Sequence, residues 1–568
     1  MTGAEGAQQR RDPAWDCLLY VVAAFLLFWD LGNRGLWVAE GRWAVIAREM
    51  LATGDFFHPT INGEPYFDKP LLTYWWIVAS SFLTGGVNEW AVRLPGALSG
   101  FAAIFCTVRL GSRLWSPEVG RTAGWLLLSS YGFLFWARTG TAEMENLAAV
   151  VLAVTWYWVR KDRTDFFTYL VFYLVLFLGA HNKGLGAVVV PVLVLFPDLL
   201  MEGRGRILFR PAHLAALFIG VAVYLVPFLV ASATRPDYGA AGLDLVFREN
   251  IRRYYDPFDH TAPFFMYLVW LPSLLLPWTP LFLASLGSLL PSWKSLDRAS
   301  RWPARAMMLT FVFYTLSGSR RSYYILPILP FCALWISAFL CRQDEPGSRI
   351  PWKRWGLATT EAAFLVLAVG AMMSPLVRPW IESRTGFIPP AGLQAGLILC
   401  GAFCFGVWAL SRRKKDFWSR LTGLNQGLAP LGVMAVAVLG AYFCWQQGVL
   451  EVYRTEKNFS LALRQVVKDI APGDIGFYRK YATNVLFYLG SPRPVKVLED
   501  ADSVAEFLRS SPPVKVLVSR RGDLPTLLPL LPPPAREGFV LEERSEPWED
   551  KGAWKNKLVA VHLRPTQE

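Results

Sequence analysis

Apolar windows of about 20 residues recur along the chain as far as residue 447, and each contains almost no charged side chain. A helix of that length crosses the hydrocarbon core of a bilayer, which is about 30 Å thick. The pattern predicts a polytopic α-helical membrane protein with about thirteen transmembrane helices. The predicted spans are residues 15–32, 91–110, 122–137, 144–159, 167–181, 184–200, 211–232, 264–290, 305–317, 322–341, 356–376, 389–411 and 427–447.

The pattern changes near residue 451, where short apolar runs alternate with turn residues and short helical repeats. Such a mixture is typical of a small soluble α/β domain. We therefore divide the chain into a transmembrane domain, residues 1–450, and an α/β domain, residues 451–568. Strands are predicted at 475–478, 495–498, 514–519, 539–543 and 558–563, and helices at 460–469 and 501–510.

The charge of the chain follows the same division. Although 54% of the residues are hydrophobic and only 18% are charged, the formal net charge is +13. Short basic connectors mark the cytoplasmic side of a membrane protein, so the charge has a topological explanation and does not indicate nucleic-acid binding. With an odd number of spans, the N-terminus is predicted to be cytoplasmic and the α/β domain periplasmic. The basic connectors are residues 109–121, 160–163, 204–210, 294–305, 342–354 and 412–415.

One more apolar stretch, residues 70–86, does not fit as a span, because counting it would move every later basic connector to the outer side. We predict instead an interfacial helix at 70–84 and an amphipathic helix at 41–53. Both lie in the first outer loop, residues 33–90. Long loops of this kind are often functional.

The seven cysteines all fall in apolar windows, which gives no indication of a disulfide framework or a cysteine zinc site. The N-terminal region has no small-residue cleavage site before its first apolar window, so an uncleaved anchor in the inner membrane is expected.

Ionisable side chains collect in the five predicted outer loops. Cations at a membrane interface bind a phosphate and stabilise it as a leaving group. A carboxylate beside them accepts the proton of an attacking hydroxyl, or stabilises cationic character at a sugar carbon. The combination predicts transfer of a group from a lipid phosphate. The side chains are Glu40, Arg42, Asp68, Lys69, Arg138, Glu143, Glu145, Lys183, Arg252, Arg253, His260, Arg320 and Arg321.

Several sequence runs in these loops form a recognisable series. The strongest is Glu40-Gly-Arg-Trp-Ala-Val-Ile-Ala-Arg-Glu-Met-Leu-Ala-Thr-Gly-Asp55, followed by Pro65-Tyr-Phe-Asp-Lys-Pro70 and Ala91-Val-Arg-Leu-Pro95. Supporting runs are Asn182-Lys-Gly184, Glu249-Asn-Ile-Arg-Arg-Tyr254, Leu276-Pro-Trp278 and Ser319-Arg-Arg-Ser-Tyr-Tyr-Ile-Leu326. Over nearly the whole chain, the series resembles the aminoarabinose transferase branch of the C-type membrane glycosyltransferases, whose wider relatives include the protein O-mannosyltransferases.

The resemblance implies an enzyme that transfers a sugar, with inversion, from a polyprenyl (undecaprenyl) phosphate donor. The implied acceptor is a lipid such as lipid A, on the periplasmic face. No nucleic acid is expected as a partner, and the protein is expected to be a monomer among membrane lipids. By resemblance, the catalytic carboxylates are Glu40 and Glu143, the donor phosphate lies against Lys69, Lys183, Arg253, Arg320 and Tyr324, and Asp68 with His260 corresponds to a pair that holds a divalent metal ion in some relatives.

The chain departs from the family pattern at two acidic positions. It has Ala39-Glu40 where Asp-Glu is usual, and Glu143 where Asp is usual. Either Glu40 supplies the carboxylate, or the base is weaker and the acceptor is already anionic, as a phosphate is. The sugar stays open. A protein O-glycosyltransferase acting on Ser or Thr is the alternative enzyme, and a lipid-linked sugar transporter or a membrane scaffold is the alternative outside enzymes.

Overall fold

The computed structural model describes residues 13–37, 39–67, 69–235, 238, 241–256, 261–342, 350–491, 493–510, 514–533 and 539–563, without the side chains of residues 241, 243, 249 and 253. Helices dominate the chain up to residue 450. They are α1 Pro13–Phe28, α2 Ala39–Thr53, α3 Leu72–Thr84, α4 Glu89–Leu114, α5 Pro117–Leu128, α6 Tyr131–Ala137, α7 Glu143–Val159, α8 Phe166–Asn182, α9 Gly186–Met201, α10 Pro211–Thr234, α11 Ala241–Phe247, α12 Arg253–Tyr255, α13 Met266–Leu274, α14 Thr279–Leu289, α15 Arg298–Leu316, α16 Leu329–Cys341, α17 Trp352–Met372, α18 Ser374–Thr385, α19 Ala391–Arg413, α20 Phe417–Thr422, α21 Leu428–Ala441 and α22 Gln447–Leu450.

Every predicted span contains helix, but the helices differ in how well they suit a bilayer. Within the described ranges, five helical stretches are long and apolar enough to cross one: α4, α10, α17, α19 and the stretch Leu428–Tyr453. Shorter apolar helices lie at Pro13–Phe28, Phe166–Asn182, Gly186–Met201 and Leu326–Cys341. The helical character of the chain is therefore confirmed, whereas the count of thirteen stays a prediction.

The segment 264–290 is predicted as one span, but it is not one continuous helix. It forms α13 and α14, which meet at an angle of 115°. The physical reason lies in three prolines, since Pro272, Pro277 and Pro280 each lack the backbone N–H that a continuous helix uses. The bend brings the carbonyl of Leu276 to the backbone N–H of Tyr131 at 2.8 Å, so the break packs against the start of α6.

The first outer loop contains the two helices that were predicted there, α2 and α3, joined by a two-stranded ribbon of β1 Thr60–Ile61 and β2 Glu64–Pro65. Helix α3 has 13 residues, about 20 Å, which is too short to cross the hydrocarbon core. It ends at Gly85, whose φ of 75° is a left-handed conformation that suits glycine. Residues Trp76, Phe82 and Leu83 are exposed on it, as expected of an interfacial helix.

Residues from 455 onward contain the predicted strands and helices, and the strands form one mixed sheet. Its strand order is β4-β3-β5-β7-β6, with β3 parallel to β4 and β5, and β7 antiparallel to β5 and β6. The strands are β3 Ile475–Tyr478, β4 Lys496–Leu498, β5 Lys515–Arg520, β6 Phe539–Glu542 and β7 Leu558–Leu563, and the helices are α23 Thr455–Val466, α24 Thr483–Leu489, α25 Ala501–Arg509, α26 Leu524–Leu527 and α27 Lys551–Asn556.

The sheet region and the first outer loop share one hydrophobic core. Trp43, Ile46 and Met50 of α2 belong to the same buried cluster as Phe459 of α23 and Val485 of α24. Polar contacts reinforce the junction. The carbonyls of residues 486 and 487 at the end of α24 accept hydrogen bonds from the Arg48 guanidinium, and the amide of Asn62 exchanges two 2.8 Å hydrogen bonds with the backbone of Val495. The division of the chain at residues 450 and 451 stays a prediction.

Candidate active site

A cavity of about 860 Å³ opens between the first outer loop and the ends of several membrane helices. Its wall contains α2 at Ala39 and Arg42, the start of α7 at Glu143, and the turn after α8 at Lys183. The remaining lining residues are Trp37, Trp43, Tyr66, Lys69, Trp136, Thr139, Thr141, Ala142, Asn146, Gly184, Gly186, Arg248, Asn250, Tyr254, Phe313, Tyr314, Ser317, Ser319, Arg321, Tyr323 and Tyr324.

The wall is strongly basic. Among the described residues that line it, Glu143 is the only acid, and the cations are Arg42, Lys69, Lys183, Arg248 and Arg321. These cations come from separate elements of the fold, so the positive charge surrounds the cavity. Positive charge in a cleft with low-dielectric walls attracts anions and stabilises negative charge that develops during a reaction.

Glu143 and Lys183 form an ion pair inside the cavity. Glu143 is the first residue of α7, where the helix dipole favours a carboxylate, and it is only 7% exposed. Lys183 directly follows α8, and its ammonium lies 4.7 Å from the ring centroid of Tyr324 and 5.6 Å from that of Tyr323. Aromatic faces at these distances attract a cation without neutralising it.

The turn that carries Lys183 is held by the segment that carries Arg248. Gly184 has a φ of 143°, and a Cβ there would lie 2.5 Å from Oδ1 of Asn250. The same Oδ1 accepts a 2.7 Å hydrogen bond from the backbone N–H of Leu185. The position of Asn250 therefore requires a glycine next to Lys183. The hydrogen bond from Leu185 to Asn250 connects the segment that carries Lys183 to the segment that carries Arg248.

Arg42 and Tyr66 are joined across the first outer loop by a 2.6 Å hydrogen bond from Nη1 to the phenol oxygen. The guanidinium carbon also lies 5.7 Å from the Tyr66 ring centroid. Both residues belong to the runs that carry the family resemblance. Arg42 is among the predicted outer-loop side chains but has no assigned role, and Tyr66 is absent from that set. The signal that could have found them is their place in those runs.

Glu40 is predicted to be the first catalytic carboxylate, a role that requires its side chain to face the cavity. The structure places that side chain elsewhere. Its side chain has no exposed surface and does not line the cavity. Oε1 accepts from Nε of Arg93 at 2.9 Å and from the Gly140 N–H at 2.7 Å, while Oε2 accepts from Nη2 of Arg93 and from the Trp37 N–H, both at 2.9 Å. Nη2 of Arg34 is 3.5 Å from Oε1.

The charge of Glu40 is fixed by these partners. Burial by itself opposes ionisation, but Arg93 and Arg34 outweigh it and lower the pKa of Glu40 to about 2. A carboxylate with both oxygens occupied and so low a pKa is a poor proton acceptor. Glu40 instead helps to connect the loop before α2 to the loop that leads into Glu143. Its partner Arg34 also donates to the Arg138 carbonyl and to Oγ1 of Thr139.

Arg320 is predicted to bind the donor phosphate, but its guanidinium donates hydrogen bonds to backbone carbonyls. Nη1 donates to the Ala262 carbonyl at 2.7 Å, and Nε and Nη2 donate to that of Thr315 at 3.2 and 2.9 Å. Its neighbour Arg321 lines the cavity, and so does Tyr324 of the same run, whose role at the donor phosphate stays a prediction. The two arginines are adjacent and both polar, so sequence alone could not distinguish them.

Three other predicted residues cannot be placed. Asp68, His260 and the side chain of Arg253 lie outside the described residues. Within the described ranges, no group of three or more His, Cys, Asp or Glu side chains is arranged to hold a metal ion.

The fold and the cavity can be set beside known proteins. Residues 68–230 match the family model described as dolichyl-phosphate-mannose-protein mannosyltransferase. The chain is 30% identical over 440 residues to the undecaprenyl phosphate-alpha-4-amino-4-deoxy-L-arabinose arabinosyl transferase of Pseudomonas aeruginosa strain LESB58, covering 75% of this chain and 74% of the relative. It is also 30% identical over 416 residues to such a transferase, numbered 2, of Pseudomonas fluorescens strain Pf-5, covering 70% and 68%.

The solved structures agree on the fold. The crystal structure of ArnT from Cupriavidus metallidurans bound to undecaprenyl phosphate superposes with a TM-score of 0.72 at 20% identity, covering 97% of this chain and 98% of the other. Its apo state gives 0.71 at 20% identity, with the same coverage. The helical fold and the relatives together identify the chain as a membrane glycosyltransferase. More specifically, the chain belongs to the undecaprenyl phosphate-aminoarabinose arabinosyltransferase family.

Proposed function

We propose that the protein transfers a sugar from an undecaprenyl phosphate donor to a lipid acceptor such as lipid A, with inversion at the anomeric carbon. Membership of the family supports the donor, because the relatives are named for an undecaprenyl phosphate-linked sugar. The observation that carries the proposal is the cavity, whose described lining contains five cations and one carboxylate. A phosphodiester donor and an anionic acceptor both match that charge.

The cations bind and activate the donor. Lys69, Lys183 and Arg321 are placed on the wall to neutralise its phosphate, and Arg253 is proposed with them from its sequence run. As the acceptor oxygen forms its bond to the anomeric carbon from one side, the bond to the phosphate oxygen breaks on the other. The phosphate leaves with the electron pair, and the nearby cations stabilise its charge.

Glu143 takes the role of the catalytic carboxylate, because it lines the cavity whereas Glu40 is buried away from it. Lys183 forms an ion pair with Glu143. A donor phosphate competes for that ammonium, which leaves the carboxylate beside the sugar, where it stabilises positive charge at the anomeric carbon. A hydroxyl acceptor would pass its proton to Glu143, whereas a phosphate acceptor has no proton to lose. Asp68 and His260 stay candidates for a divalent ion, and this mechanism assigns that ion no step.

The proposed topology has thirteen spans, with the N-terminus in the cytoplasm and the cavity on the periplasmic side of the inner membrane. The basic connectors support this orientation, as does the collection of cavity residues at one end of the helices. We propose that the protein acts as a monomer and that residues 451–568 lie in the periplasm.

A transfer assay tests the proposal. The purified protein, in liposomes with labelled undecaprenyl phosphate-sugar and lipid A, should release undecaprenyl phosphate and label the lipid. Lys69→Ala and Glu143→Gln should each lower turnover at least a hundredfold, because each removes a charge that meets the reacting groups. Lys468→Ala and Glu506→Gln, at exposed positions of the sheet region, are the matched controls. Normal turnover by the two cavity variants would refute the site assignment.

A protein acceptor is the second candidate, because residues 68–230 match a family model named for protein mannosylation. Mass spectrometry of a deletion strain separates the two candidates. Loss of a sugar from lipid A, with envelope proteins unchanged, supports the lipid acceptor. Loss of a sugar from Ser or Thr of envelope proteins instead supports the protein acceptor.

A further inference from the structure

The cavity wall contains a buried polar side chain that the proposed mechanism leaves unused. Asn146 of α7 lines the cavity and is only 3% exposed. Among the described residues, no group is within hydrogen-bonding reach of its side-chain oxygen, Oδ1. Buried amide oxygens in folded proteins are almost always paired. An unpaired one in the wall of a substrate cavity therefore indicates a hydrogen-bond donor that arrives with the ligand.

The space beside this oxygen is left open by a glycine. Gly186, the first residue of α9, also lines the cavity. A Cβ at Gly186 would lie 3.8 Å from Oδ1 of Asn146 and 3.4 Å from the hydroxyl oxygen of Tyr314, which comes from α15. Both are ordinary contact distances, so a methyl group would fit there and fill the gap. Asn146, Gly186 and Tyr314, from three helices, together form a polar recess in the wall.

The polar recess lies one helical turn from the proposed catalytic carboxylate. Glu143 and Asn146 are three residues apart on α7, which places both side chains on one face of the helix. Their Cβ atoms are about 5–6 Å apart in such an arrangement. This spacing is comparable with the width of a sugar ring. When the anomeric carbon lies beside Glu143, a substituent on the far side of the ring can therefore reach the polar recess.

We propose that Asn146 binds the donor sugar by accepting a hydrogen bond from a ring substituent remote from the anomeric carbon, and that Gly186 provides the space for this substituent. The inference rests on the proposed function and deepens it, because it concerns the same cavity. The substituent must carry a proton, so it is a hydroxyl or an amine, and an amide oxygen accepts from either. Asn146 determines specificity and takes no part in making or breaking bonds.

The test measures binding to the full chain in detergent, by displacement of a fluorescent polyprenyl phosphate. The probes are undecaprenyl phosphate itself, the same lipid carrying 4-amino-4-deoxy-L-arabinose, and three analogues of that donor that lack the 2-hydroxyl, the 3-hydroxyl or the 4-amino group. The analogue without the 3- or the 4-substituent should bind at least tenfold more weakly than the full donor, because Oδ1 then stays buried and unpaired. The analogue that loses affinity identifies the substituent as a hydroxyl or an amine.

Asn146→Leu should bind the full donor at least tenfold more weakly and should reduce the difference between the full donor and that analogue to less than threefold. Its affinity for undecaprenyl phosphate should stay within twofold of the wild-type value, which shows that the cavity is intact. Thr155→Val is the matched control. Thr155 is buried on the same helix, donates to the Cys106 carbonyl at 3.1 Å and is outside the described lining of the cavity. It should leave the difference unchanged.

Gly186→Ala tests the recess without altering Asn146. The added methyl group meets no clash, so the variant should fold, yet it occupies the space beside Oδ1. The full donor should bind at least fivefold more weakly, and undecaprenyl phosphate should bind within twofold of the wild-type value. Gly370→Ala is its control, because Gly370 lies within α17 with open space around it.

Equal binding of all the analogues by the wild-type chain overturns the inference, and so does a loss confined to the 2-deoxy analogue. It is also overturned if Asn146→Leu keeps the wild-type difference or weakens undecaprenyl phosphate as much as the full donor. If the difference and its loss in Asn146→Leu hold but no sugar is transferred, the proposed function fails and the inference stands. If sugar is transferred and Asn146→Leu matches the wild-type chain with every probe, the proposed function stands and the inference fails.

Discussion

Replacing Arg93 by methionine should destabilise the protein by about 3–5 kcal/mol, the cost of leaving one charge of a buried pair uncompensated. Both Arg93 and Glu40 have no exposed surface. The guanidinium also donates to the carbonyls of Leu31, Arg34 and Gly35 at 2.9–3.0 Å, so the substitution leaves three carbonyls without that donor. The lowering of the pKa of Glu40 to about 2 has the direction expected of a buried carboxylate that Arg93 and Arg34 hold ionised.

Unfolding in mixed micelles titrated with sodium dodecyl sulfate, followed by tryptophan fluorescence, measures the loss. Glu40→Gln should cost a similar amount, because it leaves Arg93 charged and buried. The double variant should cost clearly less than the sum of the two single variants, since the charges are coupled. A loss below about 1 kcal/mol for Arg93→Met, or additive losses in the double variant, would refute the view that this pair holds the outer loops together.

Three further predictions test the rest of the structure. The lowered pKa of Glu40 means that its carboxylate stabilises the fold above pH 4.5, and that this stabilisation is lost as the pH falls from 4.5 towards about 2. The stability of Glu40→Gln, measured by acid unfolding, should therefore not show this loss over the same pH range. Gly41→Ala should lower both stability and activity, because its Cβ would lie 1.9 Å from Oδ1 and 2.9 Å from Cα of Asn484. Gly473→Ala, with open space around it, is the control, and equal thermal stability of the two variants would contradict this packing. Lys183→Met should lower turnover at least tenfold and raise the KM for donor in the transfer assay, whereas a change in KM alone would limit Lys183 to binding.

Local sequence signals predicted the elements of this protein well. The strands at 475–478 and 558–563 have their predicted bounds, because a short apolar run between turn residues is enough to define a buried strand. The break in 264–290 is also encoded locally, in Pro272, Pro277 and Pro280. The apolar run around these prolines nevertheless predicts a single span.

The candidate site was less accessible from sequence. The loops that contribute cations were identified, but the direction of each side chain depends on partners far along the chain. Glu40 faces Arg93, which is 53 residues away, and no spacing rule distinguishes that arrangement from a carboxylate facing a cavity. Arg320 and Arg321 are adjacent, yet Arg321 lines the cavity while Arg320 donates to the Ala262 carbonyl.

The shared hydrophobic core has a consequence for how this protein can be recombined. Because Trp43 and Met50 lie in one cluster with Phe459 and Val485, the sheet region is not a detachable module. A chimera that exchanges residues 451–568 between relatives would also exchange part of the hydrophobic core that the first outer loop packs against. Such a chimera needs the two segments transplanted together, and natural variation in one is expected to be matched by variation in the other.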